Sequence, residues 1–132
     1  MASPQDPTGR PFLVLGAVSG ALAVAAGAFG AHALEGAVPP ERLVTWGTAA
    51  HYGLAHALAL LLAGLVAEGR PGRLVRAAGW LFLAGLVLFS GSLYALVLLD
   101  APALGRVTPL GGLAFIVGWG CLAAGVGGRK RV

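Results

Sequence analysis

The placement of charged residues constrains this chain more than any other feature. All 14 charged residues lie outside four uncharged stretches of 24, 25, 23 and 22 residues, which are 11–34, 43–67, 77–99 and 107–128. A helix that spans a bilayer needs about 20 apolar residues. With 58% hydrophobic and 11% charged residues, the chain also lacks the charges that cover a water-facing surface. The sequence therefore predicts a membrane protein and excludes a soluble enzyme domain.

The four stretches predict an all-α fold with four transmembrane helices in an up-down-up-down bundle, forming one domain over 11–128. The expected helices cover about 11–34, 41–67, 74–99 and 107–128, between a flexible tail at 1–10 and a basic tail at 129–132. The first apolar run is longer than the roughly 7–15 residues of a signal peptide. We therefore expect it to be a retained helix.

Basic residues predict the orientation of this bundle, because cytoplasmic loops are enriched in Lys and Arg. With the N-terminus inside, seven basic residues fall on the inner side: Arg10, Arg70, Arg73, Arg76, Arg129, Lys130 and Arg131. The outer side receives Arg42 and Arg106. We therefore expect both termini to be cytoplasmic.

Glycines recur at helical spacing in the first and fourth stretches. They are Gly16, Gly20, Gly27 and Gly30 in the first, and Gly111, Gly118 and Gly125, seven residues apart, in the fourth. Small residues let helix backbones approach closely in a bilayer, where there is little hydrophobic drive between helices. We interpret both sets as helix-packing seams of the bundle, with a seam to a partner as the alternative.

The hydrogen-bonding side chains of the spans gather in the outer half of the predicted bundle. This candidate polar cluster consists of His32, Thr48, Tyr52, His56, Ser90, Ser92, Tyr94 and Thr108. Thr48, Tyr52 and His56 are spaced by four residues, so they share one helix face. The inner half offers few polar groups, which argues against a monomeric channel. Trp46 is expected in the outer headgroup belt.

The sequence lacks a complete residue set for catalysis or for a metal site. His51 and His56 point roughly 140° apart on a helix, whereas paired metal-binding histidines are spaced by three or four residues. His32 and His56 as haem or metal ligands stay an alternative to an interhelical hydrogen-bond network. No carboxylate lies within a span to complete a hydrolytic triad. We expect no enzymatic activity, cofactor or bound metal, and no nucleic-acid partner.

Four motifs in register resemble a known family. They are GAFGAHAL at 27–34, W-x-T-x-x-x-Y-x-x-x-H at 46–56, LFSGSLY at 88–94 and VTPLGG-x-x-F-x-x-GW at 107–119. Together they resemble the domain-of-unknown-function 423 family, also called uncharacterised protein family 0382. The family includes bacterial inner-membrane proteins and the eukaryotic transmembrane protein 256. The resemblance implies a four-helix integral protein of the bacterial inner (plasma) membrane and implies no established activity.

The family pattern maps onto the eight residues of the candidate polar cluster, together with Trp46 and Pro109. One position departs from it. The family commonly has glutamine after the tyrosine of the second helix, where this chain has Gly53. A mechanism that needs an amide at this position is therefore not expected here.

The sequence favours a non-enzymatic accessory, assembly or structural subunit that contacts the lipid bilayer and packs against a larger complex or a second copy. The first alternative is a small-molecule or lipid binding or transport protein. It predicts an outward-facing pocket between helices 1, 2 and 3, lined by His32, His56 and Tyr94. A haem- or metal-binding membrane protein is the second alternative. In a third alternative, the polar residues only fix the register of the helices.

Overall fold

The computed structural model describes residues 9–128, so the predicted tail at 129–132 and most of the tail at 1–10 lie outside the described residues. The described chain forms four long helices: α1 (Arg10–Leu34), α2 (Pro40–Gly69), α3 (Arg73–Leu99) and α4 (Thr108–Gly127). Each is long and apolar enough to cross a membrane, and residues 9–128 contain no strand. The predicted all-α fold with four membrane-length helices is confirmed.

The ends of the helices follow from local backbone chemistry. Pro40 begins α2, a position where the missing N–H of proline costs no hydrogen bond. α3 ends at Leu99 and is followed by Asp100, whose φ of 48° is left-handed, a conformation that aspartate tolerates better than most residues. A 3₁₀ turn over Pro102–Arg106 then leads into α4.

Two helices contain a π-helical turn. One covers Gly30–Leu34 at the end of α1, and the other covers Leu86–Gly91 in the middle of α3. A π turn has more residues than an α-helical turn. It therefore rotates the faces of the residues that follow away from those that a regular helical wheel predicts.

Neighbouring helices run in opposite directions. At one end of the bundle, the N–H of Gly9 before α1 donates to Glu68 Oε1 near the end of α2, over 2.9 Å. At the other end, Arg42 near the start of α2 pairs with Asp100 after α3, at 3.0 Å. We call the end that holds Arg42 and Asp100 the outer end, and the end that holds Gly9 the inner end.

Glycines bring α4 directly onto α3. Three glycines spaced by seven on α4 lie against three residues spaced by seven on α3, in antiparallel order: Gly111 on Phe89, Gly118 on Phe82 and Gly125 on Val75. A Cβ atom at Gly111 would come within 2.7 Å of the backbone carbonyl carbon of Leu88. The two helices therefore touch backbone to backbone at the π turn of α3.

A second set of glycines lies along α1. A Cβ atom at Gly16 would lie 2.9 Å from the backbone nitrogen of Leu61 on α2, whereas one at Gly20 would make an ordinary 3.8 Å contact. Gly27 was predicted to belong to the same seam, but no atom lies within 4 Å of its Cβ position. The groove beside Gly27 is lined by Gly47 of α2, which has no side chain to fill the space.

Candidate functional site

His56 is buried, with both ring nitrogens hydrogen-bonded. Nδ1 lies 2.9 Å from the carbonyl oxygen of Tyr52, and Nε2 accepts the indole N–H of Trp119 over 3.1 Å. Because an indole N–H only donates and a carbonyl only accepts, the proton of the ring is on Nδ1. The ring also stacks on Phe115, with centroids 3.6 Å apart and an interplanar angle of 14°. His56 is therefore held as one neutral tautomer.

This arrangement does not fit a haem or a metal ion. A histidine ligand needs a free nitrogen, and Nε2 of His56 is occupied by Trp119. Among the described residues, no group of three or more His, Cys, Asp or Glu side chains could hold a metal ion. The second predicted ligand, His32, is exposed at the outer end of α1.

His32 therefore does not join the other predicted residues in the interior. It lies on the π turn of α1, where Gly30 and Leu34 are the buried positions. Midway between two buried positions of one turn, a residue points to the opposite side of the helix. The imidazole of His32 therefore points away from the bundle.

Ser90 and Tyr94 face α2 on one side of α3. Ser90 Oγ is buried and donates to the carbonyl oxygen of Ala49 over 2.8 Å. The ring of Tyr94 packs on Trp46, with centroids 4.6 Å apart. Its hydroxyl oxygen is buried without a hydrogen-bond partner in the described part of the chain. Both hydroxyls border Gly53, whose Cβ position is 3.4 Å from Ser90 Oγ and 3.5 Å from Tyr94 Oη.

A cavity of about 310 Å³ lies beside these hydroxyls, between α1, α2 and α3. Its polar side chains are Ser19, Ser90 and Tyr94, and the rest of its lining is apolar or glycine. Leu22 and Val87 form part of the lining and are 65% and 63% exposed on the outside of the bundle. Because both residues lie near the middle of their helices, the mouth of the cavity faces the hydrocarbon of a bilayer.

This cavity differs from the predicted pocket in its lining. It lies between the three helices expected, and Tyr94 lines it, but His32 and His56 do not. His56 is instead enclosed by rings of α3 and α4. These neighbours, Phe82, Phe115 and Trp119, were not among the candidate residues because aromatic side chains in apolar spans look like ordinary core residues.

Ser92 and Thr108 form a separate contact between α3 and α4. Their hydroxyl oxygens are 2.7 Å apart, and Ser92 Oγ donates its proton to the carbonyl oxygen of Phe89 over 2.9 Å. Thr108 is therefore the donor to Ser92. Thr48 hydrogen-bonds within α2, to the carbonyl oxygen of Val44 over 3.1 Å.

The eight predicted residues thus do not form one cluster. Ser90 and Ser92 are two residues apart, so they point to opposite sides of α3 and contact different helices. Tyr52 and His56 share ring contacts, stacked at a centroid distance of 6.1 Å. The arrangement is a set of separate interhelical contacts, with one cavity beside the hydroxyl of Tyr94.

Trp46, which was expected in the outer headgroup belt, is packed between helices near the outer end of the bundle. Its ring is 5% exposed, and its indole N–H donates to the carbonyl oxygen of Ala26 on α1 over 2.7 Å. The ring fits between the helices because Gly30 has no side chain there. A Cβ atom at Gly30 would lie 2.6 Å from Trp46 Cδ1.

Comparison with known proteins identifies the family. The sequence pattern of DUF423, described as a protein of unknown function, matches residues 26–112. The chain belongs to the DUF423 family. Among its relatives, the UPF0382 membrane protein YwdK of Bacillus subtilis (strain 168) is 50% identical over 111 residues, which are 83% of this chain and 90% of the relative. The UPF0382 membrane protein SAB0533 of Staphylococcus aureus (strain bovine RF122 / ET3-1) is 47% identical over 108 residues, 82% and 88% of the two chains.

The DUF423 relatives are named membrane proteins, in agreement with the four membrane-length helices of this chain. The family description states no activity. The segment that matches the family pattern contains all eight predicted polar residues and Gly53, while Phe115 and Trp119 lie beyond it. No solved structure matches the chain at a significant level.

Proposed function

We propose that this DUF423 protein is a non-enzymatic integral membrane protein that binds a small, largely apolar molecule in the cavity between α1, α2 and α3. The observation that carries the proposal is the buried Tyr94 hydroxyl, unpartnered among the described residues, in the lining of that cavity. A buried polar group left unsatisfied costs about 1–3 kcal/mol. A bound molecule with one polar group recovers part of this cost.

The size and access of the cavity support a ligand that is dissolved in the bilayer. At about 30 Å³ per water-sized group, a volume of about 310 Å³ holds about ten such groups. This is at the lower end of ligand pockets, which span about 300–1,000 Å³. The mouth beside Leu22 and Val87 is apolar, so the ligand enters sideways from the hydrocarbon.

Photo-crosslinking with diazirine-tagged decane tests this proposal. In membranes that contain the protein, the probe is expected to label peptides with Leu22 and Val87, and excess untagged decane is expected to remove the label. Gly53→Leu places a side chain in the cavity beside Ser90 and Tyr94 and should abolish this saturable labelling. Gly120→Leu is the matched control, because no atom lies within 4 Å of the Gly120 Cβ position. Unsaturable labelling of equal strength in all three proteins contradicts the proposal.

The second candidate is a non-enzymatic accessory or assembly subunit of a larger complex or of a homo-oligomer. It is favoured by Ala17, Ala21 and Ala25, which are spaced by four on the exposed side of α1. Such a row of small residues permits close helix packing. Pull-down in mild detergent with mass spectrometry tests this role, with Ala21→Leu expected to release the partner. A chain that always runs alone at monomer mass contradicts it.

The proposed location is the bacterial inner (plasma) membrane, with both termini in the cytoplasm. Its support is the membrane-protein names of the Bacillus and Staphylococcus relatives and the distribution of basic residues. Membrane fractionation checks the location.

A further inference from the structure

We infer that the ligand of the cavity carries an uncharged head group that both donates and accepts hydrogen bonds, a hydroxyl or a primary amide, and that Gly53 keeps open the space beside Ser90 and Tyr94 where this group binds. The inference rests on the proposed function of the cavity and names the chemistry of its ligand.

The two hydroxyls of the cavity lie close enough to share one head group. Ser90 Oγ and Tyr94 Oη are 3.4 and 3.5 Å from the same point, the Cβ position of Gly53. All three residues line the cavity. A head group of two or three heavy atoms beside Gly53 can therefore approach both oxygens.

The protons of the two hydroxyls define what the head group must offer. Ser90 donates its proton to the carbonyl oxygen of Ala49, so towards the cavity it can only accept. Tyr94 has no partner within the described residues, so its proton is available to a ligand. The ligand must accept from Tyr94 and donate to Ser90. An alcohol or a primary amide does both, a ketone does only the first, and an alkane does neither.

The electrostatic environment excludes a charged head group. No charged side chain lines the cavity, and its mouth opens at mid-helix between exposed apolar residues. Burying an unpaired carboxylate or ammonium group in such surroundings is strongly unfavourable. A neutral amphiphile with an alkyl chain or ring and one small head group satisfies both the apolar lining and the two hydroxyls.

Gly53 controls whether this space is free. A Cβ atom there would make ordinary contacts of 3.4 to 3.6 Å with Ser90, Tyr94 and Ala23. The backbone thus accepts a side chain at position 53, and that side chain would occupy the space of the head group. Gly53→Gln would carry its own amide to the two hydroxyls and displace the ligand.

Competition for the crosslinking site tests the inference in the full-length protein in membranes. Tagged decane is displaced with untagged decanol, decanamide, decan-2-one, decane or decanoate. Decanol and decanamide should compete about tenfold better than decane, because each makes two hydrogen bonds in the cavity that decane cannot make. Decan-2-one should be intermediate, and decanoate should be no better than decane.

Two variants complete the test. Tyr94→Phe removes one oxygen and keeps the ring, so the advantage of decanol over decane should shrink to about that of the serine contact, while labelling by decane itself persists. Gly53→Gln should abolish saturable labelling. If that variant fails to fold, Tyr94→Phe decides the inference alone.

The outcomes separate the inference from the proposed function. Saturable labelling by decane with no preference for decanol, or a preference that Tyr94→Phe leaves unchanged, overturns the head-group inference and leaves the binding function intact. A lack of saturable labelling with both tagged decane and tagged decanol overturns both.

Discussion

At the scale of single residues, two buried polar groups of this protein are expected to have opposite effects on its stability. His56 has a partner on each ring nitrogen and therefore ties α2 to α4 through Trp119. Tyr94 has a buried hydroxyl without a partner among the described residues. The first residue is expected to stabilise the empty protein, and the second to lower its stability until a ligand binds.

Replacing His56 tests its role in the fold. His56→Leu leaves the indole N–H of Trp119 without an acceptor, so thermal unfolding in detergent should occur at a lower temperature. Interhelical hydrogen bonds in membranes contribute about 0.6 kcal/mol on average and up to about 1.7 kcal/mol. Trp119→Phe is the partner variant, and the double variant should lose less stability than the two single losses added together. Strict additivity contradicts a direct contact.

The Tyr94 hydroxyl should have the reverse effect on stability. In protein freed of lipid, Tyr94→Phe removes an unsatisfied buried group, which costs about 1–3 kcal/mol, and keeps the packing on Trp46. The variant should therefore melt at the same temperature as the natural protein or at a higher one. A clear drop in melting temperature would indicate a partner for this hydroxyl.

At the scale of helices, close packing depends on where glycines meet a neighbouring backbone. Gly111, Gly118 and Gly125 keep register with α3 over three seven-residue steps. Gly27 and Gly120 are also helical glycines, but nothing lies within 4 Å of their Cβ positions. The sequence does not separate the glycines that contact a neighbouring helix from those that do not. Only the contacts in the structure distinguish them.

Alanine substitutions separate these two kinds of glycine. Gly111→Ala forces α4 away from the backbone of α3, and steric overpacking of a core typically costs about 1–3 kcal/mol. Gly120→Ala should be neutral or stabilising, because alanine is the better helix former by about 1 kcal/mol in water. Gly16→Ala and Gly27→Ala form the equivalent pair on α1. Chemical denaturation in detergent measures all four, and equal effects within each pair contradict the role of close packing.

For the whole molecule, the sequence predicted the number and approximate extent of the helices, which depend on composition. It could not predict the side-chain contacts that depend on how the helices pack against one another. The uncharged stretches predicted four helices because a bilayer requires that length of apolar residues. The spacing of Ser90 and Ser92 places them on opposite sides of α3, but which helix each side contacts depends on how the bundle packs. Trp119 was missed as a partner of His56 because an aromatic residue in an apolar span carries no sign of its hydrogen bond.

Charged contacts at the two ends of the bundle complete this arrangement. At the outer end, Arg42 binds Asp100 and thereby links the start of α2 to the end of α3. At the inner end, Arg70 Nη1 donates to the carbonyl oxygen of Val126 over 2.9 Å and links α2 to the end of α4. Asp100 is 88% exposed, so its ion pair contributes at most about 1 kcal/mol. These contacts hold the two ends of the bundle together.

The orientation leads to a prediction for intact cells. In a Cys121→Ala background, Ala37→Cys and Ala101→Cys place single thiols in the two connections at the outer end, and Gly72→Cys places one in the connection at the inner end. A maleimide that does not cross membranes should label positions 37 and 101 in intact cells, and position 72 only after the cells are opened. The reason is the seven-to-two distribution of Lys and Arg, which we expect to retain the inner end in the cytoplasm. Labelling of position 72 alone in intact cells would indicate the opposite orientation, in which the half of the bundle with Tyr94 lies in the inner leaflet.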